Sequence, residues 1–493
     1  MVHNGVEKES NGPSASASRI LLMLLFASHI PYLLLYCLSV WRQPHYQFFP
    51  FAFAAFAWLF FSRRSKNVRP WSVASLVLFG LDVVCLAVGI WLNSPWIVAV
   101  GTIAWLLAWC LNSEDEASGR SLGYLILLPL MTIRLPLNMD QQAIHWLQRM
   151  TTAVSSQFLN QLKILHVREG NVIQFPGKSF LVAEACSGVQ SLFTILFLAA
   201  LVICLRRRSF VHGMLLLFSG FAFAGLMNVA RVMTIAVAWQ TYSHDLSTGL
   251  VHEVLGYCCL GIAAALLMSA DVCLRFLLDP MPDVERFGVT LLFRNPLIVL
   301  WNRLFGPGTT TVTNIPEHDG DAEEARTLPT GVNLLKPHYW FSFLIGFIDA
   351  WFHTRNYRKL ISGVPFIVAA ICGTCLTLWL RHGSEDSVIR SYREGLVQAQ
   401  QDIDLIREEM YLKALCSFRS RDSEYRFQLG LFQLKQGRTK EGLGTISSLA
   451  PDQTNGYAPA RLWLVRQALQ PVHVRDCVCS RRLRGRFLAS SQG

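Results

Sequence analysis

The chain has 493 residues, of which 52% are hydrophobic and only 16% are charged, and its mean hydropathy is +0.35. Ordinary soluble proteins carry about 25% charged residues, so this composition argues against a soluble globular enzyme and excludes a mainly disordered chain. The formal net charge of +11 does not indicate a nucleic-acid-binding protein, because the basic residues fall in short clusters between apolar runs and form no stripe.

Long apolar runs predict an all-α polytopic membrane protein. A helix needs about 20 apolar residues to cross a hydrocarbon core of about 30 Å. The runs of that approximate length predict a bundle of eight or nine transmembrane helices, at 20–40, 47–62, 71–92, 95–112, 121–136, 188–205, 210–228, 251–270 and 360–380. Shorter apolar segments near 288–301 and 338–350 are expected to lie at the membrane surface.

The positions of the basic residues predict the orientation of these spans. Loops rich in Lys and Arg tend to stay on the cytoplasmic side. With the N-terminus inside, the clusters close to span ends all fall in the cytoplasm: Arg63, Arg64, Lys66, Arg69, Arg120, Arg206, Arg207, Arg208, Arg275, Arg355, Arg358 and Lys359. This orientation places residues 137–185 outside.

The outer segment contains two patterns. Apolar residues at helical spacing over 144–158 predict an amphipathic helix at the outer membrane face. Residues 167–182 then alternate around turn pairs at 170–171 and 176–177, a pattern typical of a short extracytoplasmic β-hairpin. The hairpin leads directly to the sequence Glu-Ala-Cys-Ser-Gly at 184–188.

After Arg381 the chain becomes polar and keeps helical periodicity. Small and large residues at 429–449 match a tetratricopeptide-like helix pair, and 458–469 predicts the next helix. The whole chain is therefore expected to comprise a disordered cytoplasmic tail at 1–18, a transmembrane catalytic domain at 19–275, a cytoplasmic linker with surface-lying apolar segments at 276–359, an additional span at 360–380, and an extracytoplasmic helical tail at 381–493 that is disordered at its end.

Three chemically active side chains fall at the same outer depth: Cys186, Arg231 and His252. Ionisable groups there are costly unless they are paired, so they are functional candidates. A thiol at a helix start has a lowered pKa, an imidazole can move its proton, and a guanidinium can bind an oxyanion. This set is sufficient for acyl transfer to a cysteine. The residues expected to support it are Glu184, Ser187, Gly188, Asn228 and Glu253.

Each of the three residues also has a structural explanation. A cysteine at a helix start is usually a packing thiol, a histidine at a span end is usually an interfacial anchor, and an arginine there usually extends to the lipid headgroups. Their coincidence in one layer shifts the balance toward chemistry, and both explanations stay open at this point.

Two other kinds of site fit the sequence poorly. His252-Glu253 resembles the start of the H-E-x-x-H zinc motif, but Gly256 stands where the second histidine is needed. The adjacent Cys258 and Cys259 would point about 100° apart on a helix, which is poor geometry for binding one metal ion. A Ser-His-Asp site lacks the G-x-S-x-G elbow. No cofactor is expected.

Three blocks of the chain resemble the signature blocks of the exosortases and archaeosortases, in the same order: E-A-C-S-G-V-Q-S-L at 184–192, N-V-A-R at 228–231 and H-E-V-L-G at 252–256. The resemblance covers residues 120–275. The ninth span and the polar tail depart from the short form of the family and look most like the longer exosortase U subfamily.

The resemblance implies a cysteine protease or transpeptidase in the bacterial cytoplasmic membrane, with Cys186, Arg231 and His252 as its catalytic residues at the outer face. Its expected partners are membrane lipids and exported proteins with a C-terminal sorting signal, made of a Pro-Glu-Pro-like motif, a transmembrane helix and a basic end. Water or a cell-surface lipid or glycan would resolve the acyl-enzyme. The alternative is a non-enzymatic transporter or scaffold that binds partners through its tail.

Overall fold

The computed structural model describes residues 13–68, 71–181, 188–281, 295–305, 337–382, 385–418, 422–451 and 456–469. These residues are mostly helical, with two small antiparallel sheets. Internal contacts divide the chain into two units. The first unit contains residues 1–146, 187–230 and 253–373, and the second contains residues 147–186, 231–252 and 374–493.

Residues 13–278 contain the longest apolar helices, together with one very short helix and one amphipathic helix. In chain order they are α1 Pro13–Trp41, α2 Phe49–Arg63, α3 Val73–Trp91, α4 Pro95–Asn112, α5 Leu127–Leu130, α6 Met139–Gln161, α7 Gly188–Leu205, α8 Phe210–Tyr242 and α9 Gly249–Leu278. The strands are β1 Arg64–Val68, β2 Ser113–Asp115, β3 Val167–Glu169, β4 Val172–Phe175 and β5 Lys178–Leu181.

The second half holds shorter helices. They are α10 Pro296–Phe305, α11 Pro337–Thr354, α12 Tyr357–Leu360, α13 Val364–His382, α14 Glu385–Gln401, α15 Leu405–Phe418, α16 Ser423–Lys435, α17 Thr439–Ser448 and α18 Ala458–Leu469. Helices α14–α18 lie in the predicted polar tail.

Within the described ranges, five helical segments are long and apolar enough to cross a membrane: Val73–Trp91, Pro95–Asn112, Phe210–Tyr242, Gly249–Leu278 and Tyr357–His382. They coincide with five of the predicted spans. Shorter apolar helices occur at Leu25–Trp41, Gln190–Leu205 and Pro296–Phe305. The full count of eight or nine spans stays a prediction.

The predicted span at 121–136 is wrong as a continuous helix. A 3-10 helix at Leu122–Ile126 leads into the short α5, and Leu135 is extended with ψ 137°. Helix α5 already ends at Leu130, and Leu135 is extended because the residue before a proline is driven out of the α-helical region. Leu122, Leu125 and Leu128, all at 0% exposure, fill the core of the first unit.

Helix α1 starts earlier than the sequence analysis indicates. It begins at Pro13, so residues 13–18 of the predicted disordered tail are helical. Proline suits the first turn of a helix because its fixed φ is helical and its missing N–H has no partner there. Residues 1–12 lie outside the described residues.

A buried carboxylate in the first unit has several basic partners. The Asp271 side chain is 0% exposed, and its Oδ1 accepts from Arg208 Nε at 2.8 Å and from His212 Nε2 at 2.9 Å. Its Oδ2 accepts from Arg206 Nη1 at 2.5 Å. Removing one partner of such a group leaves an uncompensated buried charge, so this carboxylate holds the α7–α8 turn against α9.

The predicted amphipathic helix and hairpin are both present, and the hairpin gains a strand. Helix α6 covers 144–158, and strands β3, β4 and β5 form a three-stranded antiparallel sheet in the order β3-β4-β5. The two connections are two-residue turns at the predicted pairs. Gly170 has φ +62° and Gly177 has φ +78°, which glycine adopts without the steric cost of a Cβ.

In the second unit, the tail packs on the segment that carries this sheet. Leu165 and Val167 share a hydrophobic cluster with Val388, Tyr392 and Leu412, among others. The Tyr392 hydroxyl is 2.9 Å from the Ile164 carbonyl and 3.1 Å from Asn160 Oδ1. The extra tail is therefore part of the same unit as the sheet and is not a detached appendage.

Two glycines allow helices α16 and α17 to pack closely. A Cβ on Gly442 would lie 2.8 Å from the Gly430 carbonyl oxygen, and a Cβ on Gly430 would lie 2.6 Å from Ile446 Cγ1. Glycine is required at both positions for this approach. The helix pair is observed where it was predicted, and its assignment to the tetratricopeptide class stays a prediction.

The variant Gly442→Ala is expected to lower the stability of the second unit by about 1–3 kcal/mol, the usual cost of overpacking a close contact. The matched control is Gly444→Ala on the same helix, because no atom lies within 4 Å of a Cβ there. The control should be neutral or stabilising by up to about 1 kcal/mol, since alanine favours helix over glycine. Thermal unfolding of the purified full chain in detergent measures both, and equal melting temperatures would contradict the packing argument.

Candidate functional site

The structure describes five of the eight predicted site residues. Glu184, Cys186 and Ser187 lie outside the described residues, in the segment that joins β5 to α7. Gly188 is the first residue of α7, Asn228 and Arg231 lie on α8, and His252 and Glu253 lie in the first turns of α9.

Arg231 is buried within α8, with 3% of the residue exposed. A buried guanidinium is strongly destabilising unless acceptors surround it, because it has five donors and no acceptor. Its position on an apolar helix of 33 residues therefore requires acceptors from other parts of the second unit.

His252 provides two of those acceptors. Arg231 Nη2 lies 2.7 Å from His252 Nε2 and 3.2 Å from the His252 carbonyl oxygen. The same guanidinium nitrogen thus contacts both the ring and the backbone of one residue. The structure thus brings these two side chains into contact, and their catalytic role stays a prediction.

The hydrogen bonds assign the tautomer of the His252 ring. A guanidinium only donates, so Nε2 must accept and the ring must be neutral. The remaining proton is then on Nδ1, which lies 3.2 Å from the Leu246 carbonyl oxygen and donates to it. The Leu246 carbonyl and Arg231 together hold the ring from its two nitrogens.

This arrangement brings a proton acceptor and a fixed cation to one point. The Nε2 nitrogen, through its lone pair, would take a proton from a nucleophile. The guanidinium that now contacts Nε2 is the group that would bind an oxyanion. A nucleophile arriving at Nε2 would replace the guanidinium as the ring's partner and leave the guanidinium available for developing negative charge.

Two of the predicted supporting residues, Asn228 and Glu253, differ in burial. Asn228 is buried at 6% exposure, whereas Glu253 is exposed. Only Asn228 is therefore enclosed by protein in the way expected of a supporting polar group. The supporting role of both residues stays a prediction.

Sequence reasoning missed an ion pair near His252 in the second unit. Lys178 of β5 contacts the Asp245 carboxylate, and its ammonium lies 5.2 Å from the Phe180 ring centroid and 5.1 Å from the Trp239 ring centroid. Asp245 also accepts from the backbone N–H of Ser247 at 2.9 Å. The Asp-x-Ser spacing is a turn signal that the sequence did contain, but no local pattern links it to Lys178.

The apolar helices define a multi-pass membrane protein, and comparison with known families agrees. The family model of the transmembrane exosortases matches residues 40–269, and this region of the chain belongs to that family. The match includes Cys186, Arg231 and His252. No curated protein and no solved structure matches the chain. Membership of the U subfamily stays a prediction.

The variant Arg231→Met is expected to expose His252 Nε2 to chemical modification, because methionine fills a similar volume and offers no donor. Diethyl pyrocarbonate acylates neutral imidazoles, and modification of the His252 peptide, followed by mass spectrometry, should rise severalfold. The exposed His244 is the internal control and should react at an unchanged rate. Equal protection of His252 in the variant would mean that Arg231 does not hold the ring.

Proposed function

We propose that the protein is a membrane cysteine protease or transpeptidase that cleaves the C-terminal sorting signals of exported proteins through an acyl-enzyme on Cys186. The single observation that carries this proposal is the hydrogen bond between the buried Arg231 and the His252 ring. It lies within the exosortase-family region and involves two of the three residues that the chemistry needs.

The first half of the reaction forms the acyl-enzyme. His252 Nε2 takes the proton of the Cys186 thiol, and the sulfur attacks the scissile carbonyl carbon. Arg231 binds the resulting oxyanion. The carbon–nitrogen bond then breaks as the imidazolium returns the proton to the leaving amine, which releases the C-terminal helix of the substrate.

The second half removes the acyl group. Water or an amine on a cell-surface lipid or glycan loses a proton to His252 and attacks the thioester carbonyl. The thiolate leaves and recovers the proton. Hydrolysis and transpeptidation share all of these protein groups and differ only in the acceptor.

Chain connectivity supports the inclusion of Cys186. The Phe180 ring of β5 packs on Trp239 of α8 with centroids 6.1 Å apart. The segment from Leu181, the last residue of β5, to Cys186 covers five positions. Such a segment spans at most about 18 Å. Trp239 lies about 12 Å along the helix axis from Arg231. The length of this segment therefore allows Cys186 to approach the Arg231–His252 pair.

The proposed setting follows from the charge pattern and the family. The active site faces the outer side of the bacterial cytoplasmic membrane, where exported proteins arrive. The substrate's own transmembrane helix packs among the apolar spans and presents the scissile peptide at the outer layer. A Pro-Glu-Pro-like motif next to that helix is the proposed recognition sequence.

Replacing Cys186 with Ala is expected to abolish processing, and Arg231→Met or His252→Gln should each lower its rate by on the order of 10² or more. The measurement is the mass of a co-expressed sorting-signal protein over time. The matched control is Cys258→Ala, because Cys258 is an exposed thiol on α9 and the proposal gives it no role.

The same experiment decides against the alternative function. A transporter or scaffold that binds partners through its helical tail would leave the substrate length equal in wild type and all variants. Unchanged processing in Cys186→Ala would exclude the acyl-enzyme. Loss of processing in Cys258→Ala as well would indicate a folding effect and contradict the specific assignment of Cys186.

A further inference from the structure

The loop between Arg231 and His252 has an internal support that the proposed mechanism does not use. Helix α8 ends at Tyr242 and α9 begins at Gly249. Within this loop, Asp245 Oδ1 accepts from the Ser247 backbone N–H at 2.9 Å and from the Ser247 hydroxyl at 2.5 Å. These two bonds close a tight turn around residue 246.

That turn presents the carbonyl which orients the imidazole. Leu246 lies between Asp245 and Ser247, and its carbonyl oxygen accepts from His252 Nδ1. The partner of one ring nitrogen determines which nitrogen carries the proton and where the other points. The geometry of the Asp245 turn is therefore transmitted to Nε2, the atom that faces Arg231.

Lys178 connects the same turn to the strand that precedes Cys186. Its ammonium pairs with Asp245 and lies between the rings of Phe180 and Trp239. A cation over two aromatic faces, partly shielded from water, gains more than a fully exposed ion pair. The contact links β5 to the end of α8 and to the loop at once.

We propose that Lys178 and Asp245 are positioning residues. Their ion pair fixes the strand that leads to Cys186 relative to the turn that orients His252. The inference rests on the proposed function. It assigns to the ion pair the task of keeping the nucleophile segment and the proton acceptor in register, while neither residue touches the substrate.

The charge state of the pair suits a permanent support. The hydrogen bond from Lys178, followed by those from Ser247, lowers the pKa of Asp245 to about 2. A lowered carboxyl pKa contributes stability above the ordinary value near 3.8, and the contribution is lost as the pH falls through the folded value. The ion pair is thus intact throughout the neutral range and is not a pH switch.

The variants separate the ion pair from the turn. Asp245→Asn keeps an oxygen for the Ser247 bonds and removes the charge, whereas Asp245→Ala removes both. Lys178→Met removes only the cation, and Lys178→Arg keeps it over the rings. The matched control is Glu409→Gln. It weakens another ion pair of the same unit, in which Arg438 contacts the Glu409 carboxylate at 2.7 and 2.9 Å. The proposal gives this ion pair no role in orienting His252.

Two measurements are made on the full chain in detergent. Processing of the sorting-signal protein should show a kcat lowered by on the order of 10- to 100-fold in Lys178→Met and Asp245→Asn, since small misplacements of reacting groups have effects of that size. The decrease in kcat should be greater in Asp245→Ala, and KM should be unchanged in all three variants. Lys178→Arg and Glu409→Gln should retain the wild-type kcat.

The second measurement needs no substrate. The rate at which a methanethiosulfonate reagent modifies the Cys186 peptide is followed against pH by mass spectrometry. In Lys178→Met and Asp245→Ala, the pH midpoint of the Cys186 modification rate should move toward the pKa of a free thiol, about 8.5. The reason is that the proposed cation and imidazole partners of Cys186 would be misplaced. Glu409→Gln should leave the midpoint in place.

These readouts distinguish the two hypotheses. If Cys186→Ala abolishes processing while the Lys178 and Asp245 variants change neither kcat nor the modification profile, the positioning role is wrong and the proposed function stands. If Cys186→Ala still processes the substrate, the proposed function is wrong. The modification profile alone then decides whether the ion pair controls the environment of Cys186.

Discussion

A guanidinium buried in an apolar helix dictates much of the local structure around it. Arg231 has only donors, and 3% of it is exposed, so acceptors must be supplied by the protein. The ring and carbonyl of His252 supply two acceptors for one guanidinium nitrogen. In doing so they force a neutral imidazole, a single tautomer and a donor bond to Leu246. This contact links α8 to the first turn of α9.

Two further contacts of the second unit support the β-sheet and the loop near His252. Lys178 links the β-sheet to the loop that contains Asp245, and Tyr392 links the tail to the segment just before the sheet. The tail lies beyond the region that matches the family model. Its packing on the sheet-bearing segment therefore gives that segment a support from residues outside 40–269.

Most local elements could be predicted from the sequence because their causes are local. Gly170 and Gly177 mark turns through their backbone freedom, and the 3.6-residue period marks α6. The predicted span at 121–136 was wrong because hydrophobic length alone does not determine helix geometry: a 3-10 helix and the four-residue α5 occupy this segment. The closeness of α16 and α17 is encoded by Gly430 and Gly442, but only their mutual packing reveals which glycines are in contact.

The sequence alone determined that the chain is a membrane protein and where its turns lie, because hydrophobic length, glycine and proline act on neighbouring residues. Only the tertiary structure decided that Arg231 donates to His252 and that Lys178 pairs with Asp245. Those partners are separated by 21 and 67 positions. No periodic pattern joins them, since such contacts depend on how the helices and strands pack.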